Sequence, residues 1–258
     1  MGFDGDLQSC AELVQKGDVD RFQAVMAAPV AAREVLFTLY AFNVELSRAP
    51  WASSESIIAE MRLQWWRDLG AEIAAGKPVR RHFVATPLAR FLRPELATVI
   101  DAMAEARRWD IYRDPFSDEA EFDSHIDATS GGLMWMAAAS LGAADERVVR
   151  DFAYGVGVAN WLQAIPELEA HNRIPLLDGT REGVTGLARK ALDRMLNARS
   201  NGGRVSTDAG VALLAGWQAE AILRQAIREP ERVAQGALGQ SEFRRRAGLI
   251  WRSALGRW

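Results

Sequence analysis

Apolar residues recur every three to four positions along almost the whole of this 258-residue chain. Within 33–48, Val35, Leu39, Phe42 and Leu46 have the spacing of one helix face. The same periodicity predicts helices over residues 53–75, 94–109, 117–141, 144–165, 181–198, 207–228 and 240–256. We find no alternating strand and no Asn-Gly or Asp-Gly hairpin between apolar runs. The sequence therefore predicts an all-α fold in which residues 1–258 form a single helical domain.

Two of these helices carry details that a structure can test. In 53–75 the spacing predicts one inward stripe, made by Ile57, Met61, Trp65, Leu69 and Ile73. In 144–165 the helix is predicted to be interrupted at Pro166, because proline removes a backbone donor and clashes with the preceding turn.

Composition excludes several classes of protein. The formal net charge of −3 argues against a nucleic-acid binder, which would carry a basic excess. Cys10 is the only cysteine, so no disulfide forms within the chain and a reducing compartment is expected. The three histidines lie too far apart in sequence to predict a zinc site. No secretory signal and no membrane-spanning apolar run is visible, so we expect a cytoplasmic protein, at most peripheral on a membrane.

Small residues stand inside two of the apolar helices. The segment SHIDATSGGLMWM places Gly131 and Gly132 in a helical run, where each glycine costs about 1 kcal/mol relative to alanine. The segment YGVGVANWLQAIPELEA repeats the pattern with Gly155 and Gly157 and adds two amides, Asn160 and Gln163. Missing side chains allow either close helix packing or a ligand-lined cavity, and the sequence leaves both interpretations open.

The last helix, SEFRRRAGLIWRSALGRW, is amphipathic and basic. Its predicted apolar side carries Phe243, Ala247, Ile250, Trp251, Ala254 and Trp258, and arginines occupy much of the rest. A basic helix with tryptophans can lie in a membrane interface. The alternative is that it closes the helical bundle.

Three ordered segments resemble the squalene/phytoene synthase family. They are REVLFTLYAFNVELSRA with the following MRLQWWRDLGAEIAAGKP, then SHIDATSGGLMWM, and then YGVGVANWLQAIPELEAHNRIPLL. Together they span roughly Arg21 to Leu177. The resemblance implies an isoprenoid-synthase fold around a central apolar cavity. It also implies two aspartate-rich boxes, whose carboxylates hold Mg²⁺ against the diphosphates of two isoprenyl substrates in active members.

The family pattern, laid on this chain, puts other residue types at the box positions. The first box falls on Ser47, Arg48 and Trp51. The second falls on Pro166, Glu169 and Ala170, of which Glu169 alone could bind a metal. The resemblance therefore implies a cavity without catalysis and predicts neither a metal nor another cofactor.

Within the family, AFNVEL followed by MRLQWW resembles a catalytically degenerate subgroup that takes part in respiratory complex I assembly in mitochondria, with alphaproteobacterial relatives. The resemblance implies a complex I subunit or assembly intermediate as partner, together with a peripheral location on the inner membrane. One alternative is an active Mg²⁺-dependent head-to-head prenyltransferase, whose metal site is rebuilt from Glu45, Glu60, Asp127 and Glu169. Another is a protein that binds a lipid or isoprenoid without transforming it.

The predicted cavity is elongated and largely apolar, and segments 33–48, 53–75, 117–141 and 144–165 surround it. Its predicted lining residues are Arg33, Tyr40, Asn43, Glu45, Arg48, Arg62, Trp65, Asp127, Gly131, Gly132, Gly157, Asn160, Gln163, Glu169 and Arg173. The four arginines in this set are expected at the mouth.

Overall fold

A computed structural model describes residues 4–53, 55–256 and 258 of the chain. The first half of this part folds into ten α-helices: α1 Gly5–Gly17, α2 Val19–Ala27, α3 Val30–Arg48, α4 Ser56–Ala74, α5 Ala85–Phe91, α6 Pro94–Ala97, α7 Val99–Ala106, α8 Trp109–Tyr112, α9 Glu119–Ile126 and α10 Gly132–Leu141. The second half adds α11 Glu146–Ala170, α12 Arg181–Ser200, α13 Thr207–Leu213, α14 Ala219–Arg228, α15 Glu231–Ala234 and α16 Glu242–Ala254. The prediction of an all-α fold is confirmed.

Side-chain caps define where many of these helices begin. Asp4 Oδ1 accepts from Leu7 N at 2.9 Å at the start of α1, and Asp18 caps α2 in the same way. Asp118, Asp145, Thr180 and Ser206 cap α9, α11, α12 and α13. Each cap satisfies a backbone N–H that has no partner inside its helix. The helix starts are therefore encoded locally.

Two long helices form the centre of one contiguous apolar core. The buried side of α3 includes Leu36, Leu39 and Phe42, and α11 contributes Phe152 and Leu162. Helices α1, α4, α10, α12 and α14 pack around this pair. Among the described residues no helix combines the length and the apolarity needed to cross a bilayer.

The structure corrects the predicted face of α4. Ile57 and Met61 are exposed, Trp65 is only half-buried, and the buried side instead carries Ala59, Leu63, Trp66, Leu69, Gly70 and Ile73. The N-terminal half of α4 therefore packs through a stripe rotated away from the predicted one. A mixed helix with apolar residues on two sides has no unique inward face until its neighbours are known.

The predicted interruption at Pro166 is wrong. Helix α11 passes through this proline and ends at Ala170, where Asn172 takes a left-handed conformation with φ of 58°. The N–H of Arg173 then bonds to the carbonyl of Leu168 at 3.0 Å, which closes the helix end. The predicted helix 117–141 also differs, because a π-helical turn over Asp127–Gly131 separates α9 from α10.

Candidate functional site

A cavity of about 580 Å³ lies where the C-terminal parts of α3 and α11 face each other, beside the junction of α1 with α2. Its lining comprises Gly17, Asp18, Arg21, Asn43, Ser47, Arg48, Trp51, Arg107, Asp110, His125, Ile126, Thr129, Ser130, Gly157, Asn160, Trp161, Ala164, Glu167, Leu168 and His171. Most of these side chains are polar, whereas the prediction was a largely apolar cavity. Helix α4 contributes nothing to the lining, so only three of the four predicted segments surround it.

The α3 wall carries Asn43, Ser47 and Arg48, and Trp51 follows in the 3₁₀ turn Ala49–Trp51. Asn43 is buried, and the Ser47 hydroxyl donates to the carbonyl of Val44 at 3.0 Å. Arg48 is exposed and forms none of the ion pairs found within the described part of the chain. All three positions of the expected first box thus face the cavity, with a hydroxyl, a guanidinium and an indole in place of carboxylates.

The α11 wall differs from the expected second box. Its cavity-facing positions are Gly157, Asn160, Trp161, Ala164, Glu167, Leu168 and His171, which repeat at helical spacing. Pro166, Glu169 and Ala170 lie on other faces. Each residue turns the helix by about 100°, so a register error of two residues moves a side chain to the far side. The cavity-facing side chains of α11 thus include an amide at Asn160, a methyl group at Ala164, an isobutyl group at Leu168 and one carboxylate at Glu167.

Between these walls, the floor of the cavity is formed by Arg107, Asp110 and His125, and Asp110 is its one buried carboxylate. The Asp110 carboxylate forms an ion pair with Arg107 at 3.4 Å. Its backbone carbonyl accepts a hydrogen bond from Arg173. Burial raises the pKa of Asp110, and the charges of Arg107 and Arg173 oppose that rise. Arg173 is only 6% exposed and lies 5.0 Å from the ring centroid of Trp51. It therefore sits behind the Trp51 side chain, outside the lining itself.

His125 joins the floor to an aromatic cluster. Its ring lies 5.2 Å from that of Trp161 and 5.3 Å from that of Phe116. Desolvation, with a smaller contribution from the nearby charge of Arg107, lowers the pKa of His125 to about 3. The imidazole is therefore neutral near pH 7 and contributes no charge to the cavity.

Asp18 and Arg21 close the cavity at the junction of α1 with α2. They form an ion pair, and the Asp18 carboxylate also caps α2. The guanidinium of Arg21 lies 5.6 Å from the ring centroid of Tyr40. Tyr40 itself is buried outside the lining, where its hydroxyl donates to the carbonyl of Ala212 at 3.4 Å, and burial raises its pKa. The predicted role of Tyr40 as a lining residue is therefore corrected to support of Arg21.

Several other predicted lining residues lie elsewhere on the surface. Arg33 donates to the carbonyls of Met26 and Ala28 at the end of α2 and borders a separate groove. Arg62 is exposed on α4, and the Trp65 ring packs edge-to-face against Trp66 and at a tilt against His82. Gln163 is exposed and donates to the carbonyl of Leu238 at 3.4 Å, and Glu169 is exposed at the end of α11. Helical faces that the sequence left ambiguous explain these differences.

Carboxylates and glycines account for the remaining corrections. Glu45 lies on the α3 side near Cys10 and His82; burial raises the pKa of Cys10 and lowers that of His82, and the charge of Glu45 acts upward on both. Asp127 pairs with Arg150 at 2.9 Å. A Cβ at Gly131 would lie 2.8 Å from Asp127 Oδ1, and one at Gly132 would lie 2.9 Å from a side-chain carbon of Val99. Both glycines therefore serve close packing. Gly157 alone among the predicted glycines lines the cavity.

Sequence reasoning missed more than half of the lining. The missed residues are Gly17, Asp18, Arg21, Arg107, Asp110, His125, Ile126, Thr129, Ser130, Trp161, Ala164, Glu167, Leu168 and His171. Helical spacing from Gly157 and Asn160 could have found Trp161, Ala164 and Leu168. The residues from α2, α7 and α8 reach the cavity only through tertiary packing, which leaves no local signal.

Comparison of the sequence with known protein families identifies the family to which this chain belongs. The sequence profile of squalene/phytoene synthase matches residues 14–186. The chain belongs to the squalene/phytoene synthase family. The resemblance noted from the sequence is thereby confirmed.

Curated relatives of this family member carry one name. NADH dehydrogenase (ubiquinone) complex I, assembly factor 6, from Bos taurus is 24% identical over 179 residues, which cover 67% of this chain and 54% of the relative. The Homo sapiens protein is 24% identical over 162 residues, covering 61% and 48%. The Drosophila melanogaster homolog is 40% identical over 60 residues, covering 23% and 18%. The chain spans about half the length of the mammalian relatives.

Two solved structures share the fold of this squalene/phytoene synthase family chain. A dehydrosqualene synthase in complex with ligand has a TM-score of 0.76 and 15% identity, and the match covers 97% of this chain and 96% of that one. Squalene synthase HpnC from Alicyclobacillus acidocaldarius has a TM-score of 0.68 and 19% identity, covering 90% and 94%. At this identity the likeness establishes the fold.

The side chains present in this family member do not fit the Mg²⁺ ions of an active synthase. Of the residues proposed for a rebuilt site, Glu60 pairs with Arg108 at 2.9 Å and Asp127 pairs with Arg150. Glu45 and Glu169 lie outside the cavity. In the part of the chain that the structure describes, no three Asp, Glu, His or Cys side chains are grouped as metal ligands. Mg²⁺ needs clustered oxygen ligands, and these side chains do not supply them.

Proposed function

We propose that this chain is a non-catalytic member of the squalene/phytoene synthase family that acts in the assembly of respiratory complex I. The observation that carries the proposal is the chemistry of the two facing walls. Ser47, Arg48 and Trp51 of the α3 wall face an α11 wall whose one carboxylate is Glu167, whereas diphosphate chemistry requires clustered carboxylates. The relatives named complex I assembly factor 6 support the assembly role.

Electrostatics support the loss of catalysis. Two or three divalent ions held close together repel one another, and only several carboxylates can offset that repulsion. The cavity carboxylates of Asp18 and Asp110 are already paired with arginines, and Arg48 adds a positive charge. Glu167 is the remaining lining carboxylate. We therefore expect no cofactor and no metal-dependent turnover.

The cavity would hold a lipid or an isoprenoid as a bound molecule. Its volume of about 580 Å³ is within the range of small-molecule sites. Ile126, Trp161 and Leu168 offer apolar contact, and the guanidinium groups at the other wall offer contacts to an anionic head. A cytoplasmic protein at the inner membrane surface, in contact with a complex I subunit or an assembly intermediate, would meet such a molecule.

Deletion of the gene tests the assembly role. We expect NADH:quinone oxidoreductase activity of isolated membranes to fall, while succinate oxidation stays near normal. A copy carrying Glu169→Ala should restore activity, because Glu169 is exposed and outside the cavity. Normal complex I activity in the deletion strain would contradict the proposal.

An enzyme assay tests the absence of catalysis separately. Purified protein with Mg²⁺ and farnesyl or geranylgeranyl diphosphate should give no head-to-head product above a heat-killed control. A product that disappears with Glu167→Gln, the lining carboxylate outside an ion pair, would establish the prenyltransferase alternative.

A further inference from the structure

Helix α16 is attached to the rest of the chain through a narrow inward face. Leu249 is its one buried residue and joins a small apolar cluster with side chains of α2 and of the segment before α14. Arg245 pairs with Asp20, and the hydroxyl of Ser253 donates to the carbonyl of Ala27 at 2.8 Å. These contacts align α16 with α2 and fix which side of α16 faces outward.

The outward side is the apolar side. Phe243 is 81% exposed, Ile250 68% and Trp251 66%, and Ala247 and Ala254 between them are exposed as well. At about 100° per residue, these five positions fall within one arc of about 100°. The stripe predicted from the sequence therefore exists, but the bundle does not use it. Trp258, which was predicted on the same side, instead packs against Phe152 at 4.9 Å.

Arginines border this stripe on both sides. On the same helical projection Arg244 lies directly beyond Trp251, and Arg246 lies beyond Ile250 at the opposite edge. Both are exposed, and Arg246 also pairs with Glu242 at 2.8 Å. The other arginines of α16, Arg245 and Arg252, are turned toward acidic partners inside the chain. The outer surface thus has an apolar centre between two cationic edges.

We propose that α16 docks this protein on a bilayer surface that contains anionic phospholipids. The helix axis lies in the plane of the membrane, with Phe243, Ile250 and Trp251 at the boundary between headgroups and acyl chains. Arg244 and Arg246 then meet lipid phosphates on either side. Because the bundle already occupies the inward face, α16 offers a convex, cation-bordered surface, which suits a planar membrane better than a protein groove.

Vesicle flotation with the purified 258-residue chain tests the proposal. We expect binding to vesicles of phosphatidylcholine with phosphatidylglycerol and little binding to phosphatidylcholine alone. The double variant Phe243→Ser/Trp251→Ser should lower the partition coefficient at least about tenfold. The double variant Arg244→Gln/Arg246→Gln should lower it about tenfold to thirtyfold on anionic vesicles. High salt should weaken the remaining binding.

A matched control comes from another exposed apolar pair. Ile57→Ser/Met61→Ser removes similar surface from α4, and this variant should float like the unchanged protein. Thermal unfolding should be similar for all variants, since every altered side chain is exposed. Equal flotation of the α16 and α4 variants would overturn the proposal. So would equal binding to neutral and anionic vesicles, or a dimer that Phe243→Ser/Trp251→Ser abolishes while flotation is unchanged.

This inference deepens the peripheral location proposed above, yet its test needs only the purified chain and lipid. If the unchanged protein does not float with anionic vesicles, the proposal of a membrane-docking surface on α16 is wrong. The proposed complex I role is unaffected by that result and is tested by the deletion strain. A normal deletion strain would remove the complex I role and leave the flotation result intact.

Discussion

The two facing walls of the cavity differ in the side chains that they present to it. On α3, the box positions became polar, cationic and aromatic, at Ser47, Arg48 and Trp51. On α11, the cavity-facing positions combine the apolar Trp161, Ala164 and Leu168 with one carboxylate, Glu167. The difference gives the cavity one wall with a cationic side chain suited to an anionic head and one wall with apolar groups suited to a chain. A cavity that lacks the metal ligands of the family can therefore still bind an amphipathic molecule.

The largest effect on stability should come from adding a side chain at Gly157, where α11 packs closely against Ile126 and Ser130. A Cβ at Gly157 would lie 2.7 Å from side-chain carbons of Ile126 and Ser130, so Gly157→Leu forces two helices apart. We expect the free energy of unfolding to fall by at least about 3 kcal/mol, measured by urea denaturation. Gly186→Leu is the control, because Gly186 has open space around it and should stay neutral or gain stability. Similar losses in both variants would argue against close packing at Gly157.

The floor between the walls should respond to acid through His125. Its pKa in the folded chain is about 3, below the ordinary value of 6.5, so the unfolded chain binds the proton more readily. This group's stability contribution is complete above about pH 6.5 and is lost as pH falls toward 3. By pH 5 the loss should reach about 2 kcal/mol. His125→Phe should remove this part of the pH dependence, and His171→Phe, at an exposed histidine, should leave it unchanged.

Carboxylates introduced by mutation should bind a divalent metal only where their positions face the cavity. Asp at positions 47, 48 and 51 together with Ala164→Asp and Leu168→Asp would place five carboxylates around one space. We expect at least about tenfold tighter Mn²⁺ binding than in the unchanged chain, measured by paramagnetic resonance. The control keeps the α3 changes but places Asp at Pro166 and Ala170. Equal binding by both variants would show that the α11 wall is assigned wrongly.

The smallest effect should distinguish the two walls in ligand binding. Arg48→Ala should raise the Kd for farnesyl monophosphate about tenfold, because a guanidinium contact to a phosphate is lost. Asn160→Ala on the opposite wall should change it about twofold to threefold. Arg62→Ala removes an exposed arginine outside the cavity and serves as the control. Calorimetry in the presence of EDTA makes the measurement independent of metal, and an unchanged Kd for Arg48→Ala would remove the cationic role of the α3 wall.

The sequence anticipated the α3 wall better than the α11 wall, and the reason is local. Ser47, Arg48 and Trp51 could be placed because the family pattern fixes their register from Tyr40, a few residues before them. On α11 the expected box lies two residues out of register, and the interruption expected at Pro166 does not occur. A proline within a long, well-packed helix can be accommodated at the cost of one backbone hydrogen bond.

Other parts of the site depend on tertiary contacts. The glycine pair at 131 and 132 was equally compatible with packing and with a cavity, and only the side chains of Val99 and Asp127 decide between them. Arg107 and Asp110 reach the floor because α7 and α8 pack beside it, a placement that has no periodic signature. Side-chain spacing specifies faces of helices, whereas the cavity is formed where faces from distant segments meet.

The π-helical turn at Asp127–Gly131 sets the orientation of α9 relative to α10. Such a turn holds one residue more than an α-helical path needs. Removing that residue would turn α9 by about 100° relative to α10 and carry His125 off the cavity floor. One codon therefore separates this cavity from a differently lined one on the same scaffold. A change of one residue in the length of this turn would therefore alter the lining of the cavity without any substitution in it.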